Sequence, residues 1–149
     1  MTEDAKPGFD DLTWLAYRAA DALGAAFNKV SRDAGLTDLR DWLVLALLTL
    51  DDAERTQLEI ATHLAIDRST LVPILDRLER DGLVVRTTST RDRRARIPKI
   101  TPEGVKVYER VAIAREEAIN DRLAGIQPSD RAAFHATLWR IVGEPPPES

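Results

Sequence analysis

The chain has 149 residues, enough for one compact domain, with 44 % hydrophobic residues to form a core and 31 % charged residues to face water. It has no cysteine, which excludes disulfides, thiol redox chemistry and thiolate metal sites, and its longest apolar run, Trp42 to Leu50, is too short for the ~20 residues of a membrane helix. The net charge of −4 argues against a nucleic-acid partner only until its distribution is read: residues 68–99 hold nine arginines and lysines against four acids, a basic third on an acidic body.

The acidic start, Met1 to Asp11, lacks the basic and apolar regions of a signal peptide, so the expected location is the cytoplasm. Leu12, Ala16, Ala19, Leu23, Ala26 and Val30 then recur in steps of four and three, one continuous helical seam suited to packing along another helix. Gly35 can close this helix and Thr37 can cap a second, apolar almost all round from Leu39 through Leu50 and therefore the buried spine.

Thr56-Gln57-Leu58-Glu59 is a capping box, in which hydroxyl and carboxylate satisfy the exposed amides of a helix start. A short helix follows to about Leu64. After Ala65-Ile66, Asp67 is placed to cap a new helix that runs to Asp81 and stops at Gly82. Leu71, Ile74, Leu75 and Leu78 mark its inner face, leaving Arg68, Ser69, Val72, Pro73, Asp76, Arg77 and Arg80 mostly outward. Two short helices, a tight turn and a basic outer face make a helix-turn-helix.

Leu83–Thr88 and Ala95–Ile100 predict the strands of a hairpin with a cationic tip, Ser89–Arg94. Pro98 makes the returning strand an edge, or kinks it. Thr101-Pro102-Glu103 is a helix start, and the helix it opens carries two apolar stripes, Val105, Tyr108, Ala112 and Val107, Val111, Ala114, Ala118, for two packing partners. Gln127-Pro128-Ser129-Asp130 begins a last helix with Phe134, Leu138 and Ile141 on one face, before a proline-rich tail, Glu144 to Ser149.

The stretch from Asp67 to Val84 resembles the recognition helix of the MarR family of bacterial regulators. The wing string Asp92-Arg93-Arg94, followed by Ile100-Thr101-Pro102-Glu103-Gly104, resembles that family's most recognisable segment. The resemblance implies a mainly α fold with a small β-hairpin wing, in one domain over 1–149. Helices at about 9–34 and 102–143 would build a homodimer, and a winged helix-turn-helix at about 37–100 would bind a palindromic duplex-DNA operator. It further implies a repressor released by a small, often phenolic or aromatic, effector bound between these regions. Two departures stand out. Ala65 occupies a position commonly glycine in the family, which demands an ordinary backbone there, and Leu71-Val72-Pro73 belongs to a peroxide-sensing branch whose thiol chemistry this cysteine-free chain cannot perform.

In such a complex Arg68, Ser69 and Thr70, near the helix start, read bases, with Arg68 suited to a guanine edge; Val72 and Pro73 suit thymine methyls; Arg77 and Arg80 suit phosphates. At the wing, Arg94 suits the minor groove and Asp92 its orientation, with Arg91, Arg93 and Arg96 adding background attraction. Trp14, Tyr17, Phe27 and Trp42 either line an aromatic ligand pocket or simply pack the core, and Arg40 is either the partner of a ligand carboxylate or a surface residue. His63 and His135 are lone histidines, so no metal or cofactor is expected. No phosphate loop, nucleophile elbow or metal motif points to an enzyme. The competing reading is a winged-helix module for a protein or structured RNA; the basic tip and exposed helix suit B-form DNA better.

Overall fold

The computed structural model describes residues 11–143; the acidic start before Asp11 and the proline-rich tail lie outside the described residues. Helix α1 (Leu12–Asp33) opens on Asp11, whose carboxylate accepts the Trp14 N–H at 2.9 Å. It closes at Gly35, which takes the left-handed φ of 88°.

The cap of α2 (Leu39–Thr49) is Asp38 and not Thr37: the Asp38 carboxylate accepts the Arg40 N–H at 2.8 Å. Thr37 instead directs its own N–H to the buried Asp41, 2.9 Å away, which moves the helix start one residue along. In α3 (Gln57–His63) the capping box forms as the sequence predicts, Thr56 accepting from Glu59 N–H and Glu59 accepting from Thr56 N–H.

The turn into α4 (Arg68–Arg80) overturns the expectation for Ala65, whose backbone is left-handed at φ 51°. Only that conformation brings the Ala65 and Ile66 N–H groups back onto the carbonyls of Thr62 and Ala61 and turns Ile66 toward the core. Alanine tolerates it at a cost of about 1 kcal/mol. Asp67 holds the N-cap position of α4 without a side-chain cap bond, and Gly82 closes the helix at φ 75°.

Strands β1 (Val84–Thr88) and β2 (Arg96–Ile100) pair antiparallel, Val84 opposite Ile100 and Thr88 opposite Arg96. Pro98 sits opposite Arg86 within an unbroken β2; in a two-stranded sheet both strands are edges, so its missing N–H need not break the ladder. Thr101 then caps α5 (Pro102–Arg122), accepting from Gly104 N–H at 3.1 Å and donating to the Gly82 carbonyl at 2.7 Å. Gly104 is required there, because a Cβ would lie 2.2 Å from the Leu83 carbonyl oxygen.

The core gathers around α2, with Val44, Leu45, Ile60, Leu71, Leu75, Leu78 and Val111 almost wholly excluded from solvent. The two stripes of α5 find their two partners in α1 and α2. The seam of α1 is partly covered: Ala19, Leu23, Ala26 and Val30 are half-buried and Leu12 and Ala16 exposed, while the residues the helix buries fully, Phe27 and Ser31, lie one position beyond it. Helix α6 (Pro128–Val142) buries none of its residues, so Phe134, Leu138 and Ile141 face solvent in the single chain. No helix among the described residues is long and apolar enough to cross a membrane.

Candidate nucleic-acid interface

Helix α4 presents Arg68, Ser69 and Pro73 exposed in its first half, with Thr70 and Val72 half-buried beside them. Arg80 is exposed in the last turn, its Nε 3.3 Å from the carboxylate of Asp81. Arg77 departs from the outward, phosphate-binding place expected of it. Its guanidinium turns inward and grips the buried Asp41 of α2 through Nε at 3.3 Å and through Nη2. The apolar spacing that sets the inner face fixes a stripe, not a side chain's reach; a long arginine at the stripe's edge can fold back to a buried charge that would otherwise be unpaired.

The wing is fastened at two places. Arg86 of β1, one of the nine cations of the basic stretch, lies between two acids of α4, with Nη2 2.6 Å from Asp76 and Nη1 on Glu79. At the other end Glu54, in the loop between α2 and α3, accepts the Ser89 hydroxyl at 2.7 Å and the Thr90 N–H at 2.9 Å. These donors, the hydroxyl foremost, hold the Glu54 carboxyl down to about 2. Arg91 reaches the Glu54 backbone carbonyl at 2.6 Å, and Arg96 reaches the Arg86 carbonyl at 2.9 Å.

Within the tip, the Ser89 hydroxyl accepts the N–H groups of Arg91 and Asp92, and the Asp92 carboxylate accepts the N–H of Arg94 at 2.9 Å. Asp92 therefore engages the backbone of Arg94 and not its guanidinium. Among the described residues, the guanidinium groups of Arg68, Arg93 and Arg94 make no hydrogen bond or ion pair, and all three residues are exposed. Arg77, Arg86, Arg91 and Arg96 brace the frame; these three guanidinium groups, with the exposed Lys99 of β2, are available to an external anion.

The five residues considered for a ligand pocket divide. Phe27 and Trp42 meet edge to face at 5.2 Å, Trp42 stacks on Tyr108 at 5.4 Å, and its indole N–H donates to the Tyr108 carbonyl at 3.1 Å. Arg115 lies over both rings, 4.7 Å from Trp42 and 5.4 Å from Phe27. A cleft of about 440 Å³ opens beside Trp42, Tyr108 and Arg115, lined further by Ala112, Glu116, Ile119 and Asn120, with Phe27 behind Trp42 and outside the lining. Trp14 and Tyr17 stack on each other at 6.1 Å. They lie about 15–20 Å along the α1 axis from Phe27, so one chain does not bring them to this cleft. Arg40 pairs with Asp38 at 2.7 Å, outside the cleft lining. Sequence reasoning missed Arg115 and Asn120 altogether; their only signal was a place on the α5 turn after Tyr108 and Ala112.

A second, larger hollow of about 790 Å³ lies between α1, the end of α5 and α6, where Leu15, Ala19, Leu23, Ile126, Phe134 and Leu138 form an apolar wall. His135 accepts the Trp139 indole N–H at 3.3 Å. Among the described residues no three histidine or acidic side chains cluster as metal ligands would.

The sequence model of the MarR family matches residues 39–95. The HTH-type transcriptional regulator FarR of Neisseria gonorrhoeae is 34 % identical over 110 residues, which cover 74 % of this chain and 71 % of that protein. The transcriptional repressor CouR bound to a 23-mer DNA duplex superimposes with a TM-score of 0.80 at 33 % identity, over 94 % of this chain and 99 % of that one. CouR of Rhodococcus jostii RHA1 bound to p-coumaroyl-CoA superimposes with a TM-score of 0.79 at 28 % identity, over 92 % and 95 % of the two chains.

Proposed function

The chain belongs to the MarR family of transcriptional regulators, and from that premise we propose that it is a cytoplasmic, homodimeric repressor of a palindromic duplex-DNA operator. The observation that carries this reading is the sorting of its arginines: Arg86, Arg91 and Arg96 brace the wing, while Arg68 on α4 and Arg93 and Arg94 at the wing tip stay exposed without protein partners. In this reading Arg68, Ser69 and Thr70 meet base edges in a major groove, Val72 and Pro73 meet thymine methyls, and Arg80 meets phosphate. Arg94 enters the adjoining minor groove, with Arg93 close to the backbone. The protein acts by binding and carries out no reaction of its own.

A second copy of the chain covers the unburied face of α6 and the exposed half of α1. The apolar wall of Leu15, Ala19, Leu23, Phe134 and Leu138 supports that division of labour, with α1, α5 and α6 as dimer helices and residues 37–100 as the DNA-binding lobe. The cleft beside Trp42, Tyr108 and Arg115 suits a planar aromatic acid, whose ring can stack and whose carboxylate can meet the guanidinium.

The test is titration of the protein with a duplex of its own upstream intergenic region at two salt concentrations, beside an unrelated duplex. Tight, salt-sensitive binding to the upstream duplex supports a local repressor. Equal weak binding to both sinks it.

A further inference from the structure

We infer that Asp41 is a positioning residue for sequence readout: without touching DNA, it sets through Arg77 the rotation at which the recognition helix meets the groove. This rests on the proposed DNA-binding role of α4. Asp41 is 2 % exposed, and its carboxylate collects the Thr37 N–H together with Nε and Nη2 of Arg77. Two planar groups joined by two bonds fix an orientation as well as a distance.

Where Arg77 stands on α4 gives the pair its leverage. Ser69, Pro73 and Arg77 follow one another at intervals of four along one line of the helix, the exposed stripe that begins beside Arg68. Arg77 also lies near the Pro73 carbonyl, with Nη1 3.5 Å away. Fastening the inner end of this line to α2 therefore fixes the direction of its outer end. Asp76 and Glu79, on either side of Arg77 in sequence, hold Arg86 of the wing, so α4 is gripped at residues 76–79, while among the described residues no side chain of residues 68–73 hydrogen-bonds to another element.

The anchoring body is itself immobilised on its other side. The residue after Asp41 is Trp42, which is tied to α5 by its indole N–H and its stack on Tyr108. A buried ion pair is a weak device for stability, because apolar residues of the same volume serve as well or better. Its gain here is geometric.

The test uses the full chain and a duplex selected by the native protein from a random pool, with a scrambled duplex of equal length as reference, each across a salt series. Asp41→Asn keeps the shape of the side chain and removes its charge. The expected result is a loss of about tenfold or more in affinity for the selected duplex, with affinity for the scrambled duplex and the salt slope unchanged. Arg77→Met is expected to give the same pattern. If Asp41→Asn fails to fold, the double variant Asp41→Leu/Arg77→Met leaves no charge buried alone and carries the same expectation. A fall in the salt slope by about one in Arg77→Met marks a phosphate contact and overturns the inference. So does an equal loss, or no loss, on both duplexes in Asp41→Asn. If the native protein enriches no duplex at all, the DNA-binding reading fails first, and the inference falls with it.

Discussion

The hydroxyl of Ser89, at the foot of the wing tip, donates to the carboxylate of Glu54, 2.7 Å away on the loop before α3. The contact joins residues 35 positions apart and closes the wing against the body at the end opposite to Arg86. Glu54→Ala removes the acceptor of both the Ser89 hydroxyl and the Thr90 N–H. The expected outcome is faster hydrogen exchange over residues 89–95 and operator binding weaker by about tenfold, with the dimer unchanged. Simple electrostatics predicts the reverse, since deleting an acid beside a basic tip strengthens attraction to phosphate. Tighter binding by Glu54→Ala thus rejects the clamp.

The same contact has a pH signature. Glu54 titrates at about 2 in the folded chain against an ordinary value of 4.5. The folded value is the lower one, so docking gains from the ionised carboxylate at all pH above 4.5 and loses that gain as pH falls toward 2. Amide exchange at Ser89 and Thr90 should therefore show no change in protection between pH 8 and pH 5, after correction for the intrinsic rate, and loss of protection below 4.5. A midpoint near neutrality would show that another group controls the wing.

What was legible in the sequence was local. The capping box at Thr56 and Glu59, the stops at Gly35 and Gly82 and the Thr101-Pro102 start each act within a few residues, and each stands where the pattern places it. The partners of Arg77, Arg86 and Glu54 could not be read the same way. Asp41 lies 36 positions from Arg77, and an acid in the first turn of α2 is already explained by the helix dipole, so nothing in the string marks it as buried. Ala65 misled for the opposite reason. The residue's intrinsic preference was read correctly, and the turn's hydrogen bonds overrode it. Within the candidate site, the pattern identified the exposed face of α4 and the basic tip but not which arginines were already engaged.

Arg94→Ala should weaken operator binding by about tenfold and leave the dimer intact, because the side chain is exposed at the wing tip, far in sequence from α1 and α6 and without a protein partner among the described residues. Fluorescence anisotropy across a salt series, with sedimentation for the dimer, checks both halves. Unchanged affinity would remove the wing from the interface.

Ala19→Glu addresses the other end of the molecule. Ala19 is half-buried in the apolar hollow between α1 and α6, where Leu15, Leu23, Phe134 and Leu138 surround it. Arg18, Arg122 and Arg131 also line the hollow, so pairing the new carboxylate draws one of these arginines into the apolar interface once a second copy closes it, and burying the charge against Leu15, Leu23 and Phe134 costs several kcal/mol. Sedimentation should show dissociation to monomers at micromolar concentration, with DNA affinity lost alongside. A stable dimer of unchanged affinity would place the interface elsewhere.

Ala65→Gly tests the turn that sets the angle between α3 and α4. At φ 51° the Cβ of alanine crowds the following carbonyl, a strain glycine does not have. Glycine also gains freedom in the unfolded chain, which offsets part of the relief, so the net stabilisation expected is about 0.5 kcal/mol, or roughly 1–2 °C in melting temperature. Ala65→Val reverses the sign, because a β-branched side chain is disfavoured more strongly at positive φ. Operator affinity should stay near native in Ala65→Gly, since the hydrogen bonds of Ala65 and Ile66 to Thr62 and Ala61 use backbone atoms alone. Destabilisation by glycine would mean that this residue is extended in solution and that α4 enters at a different angle.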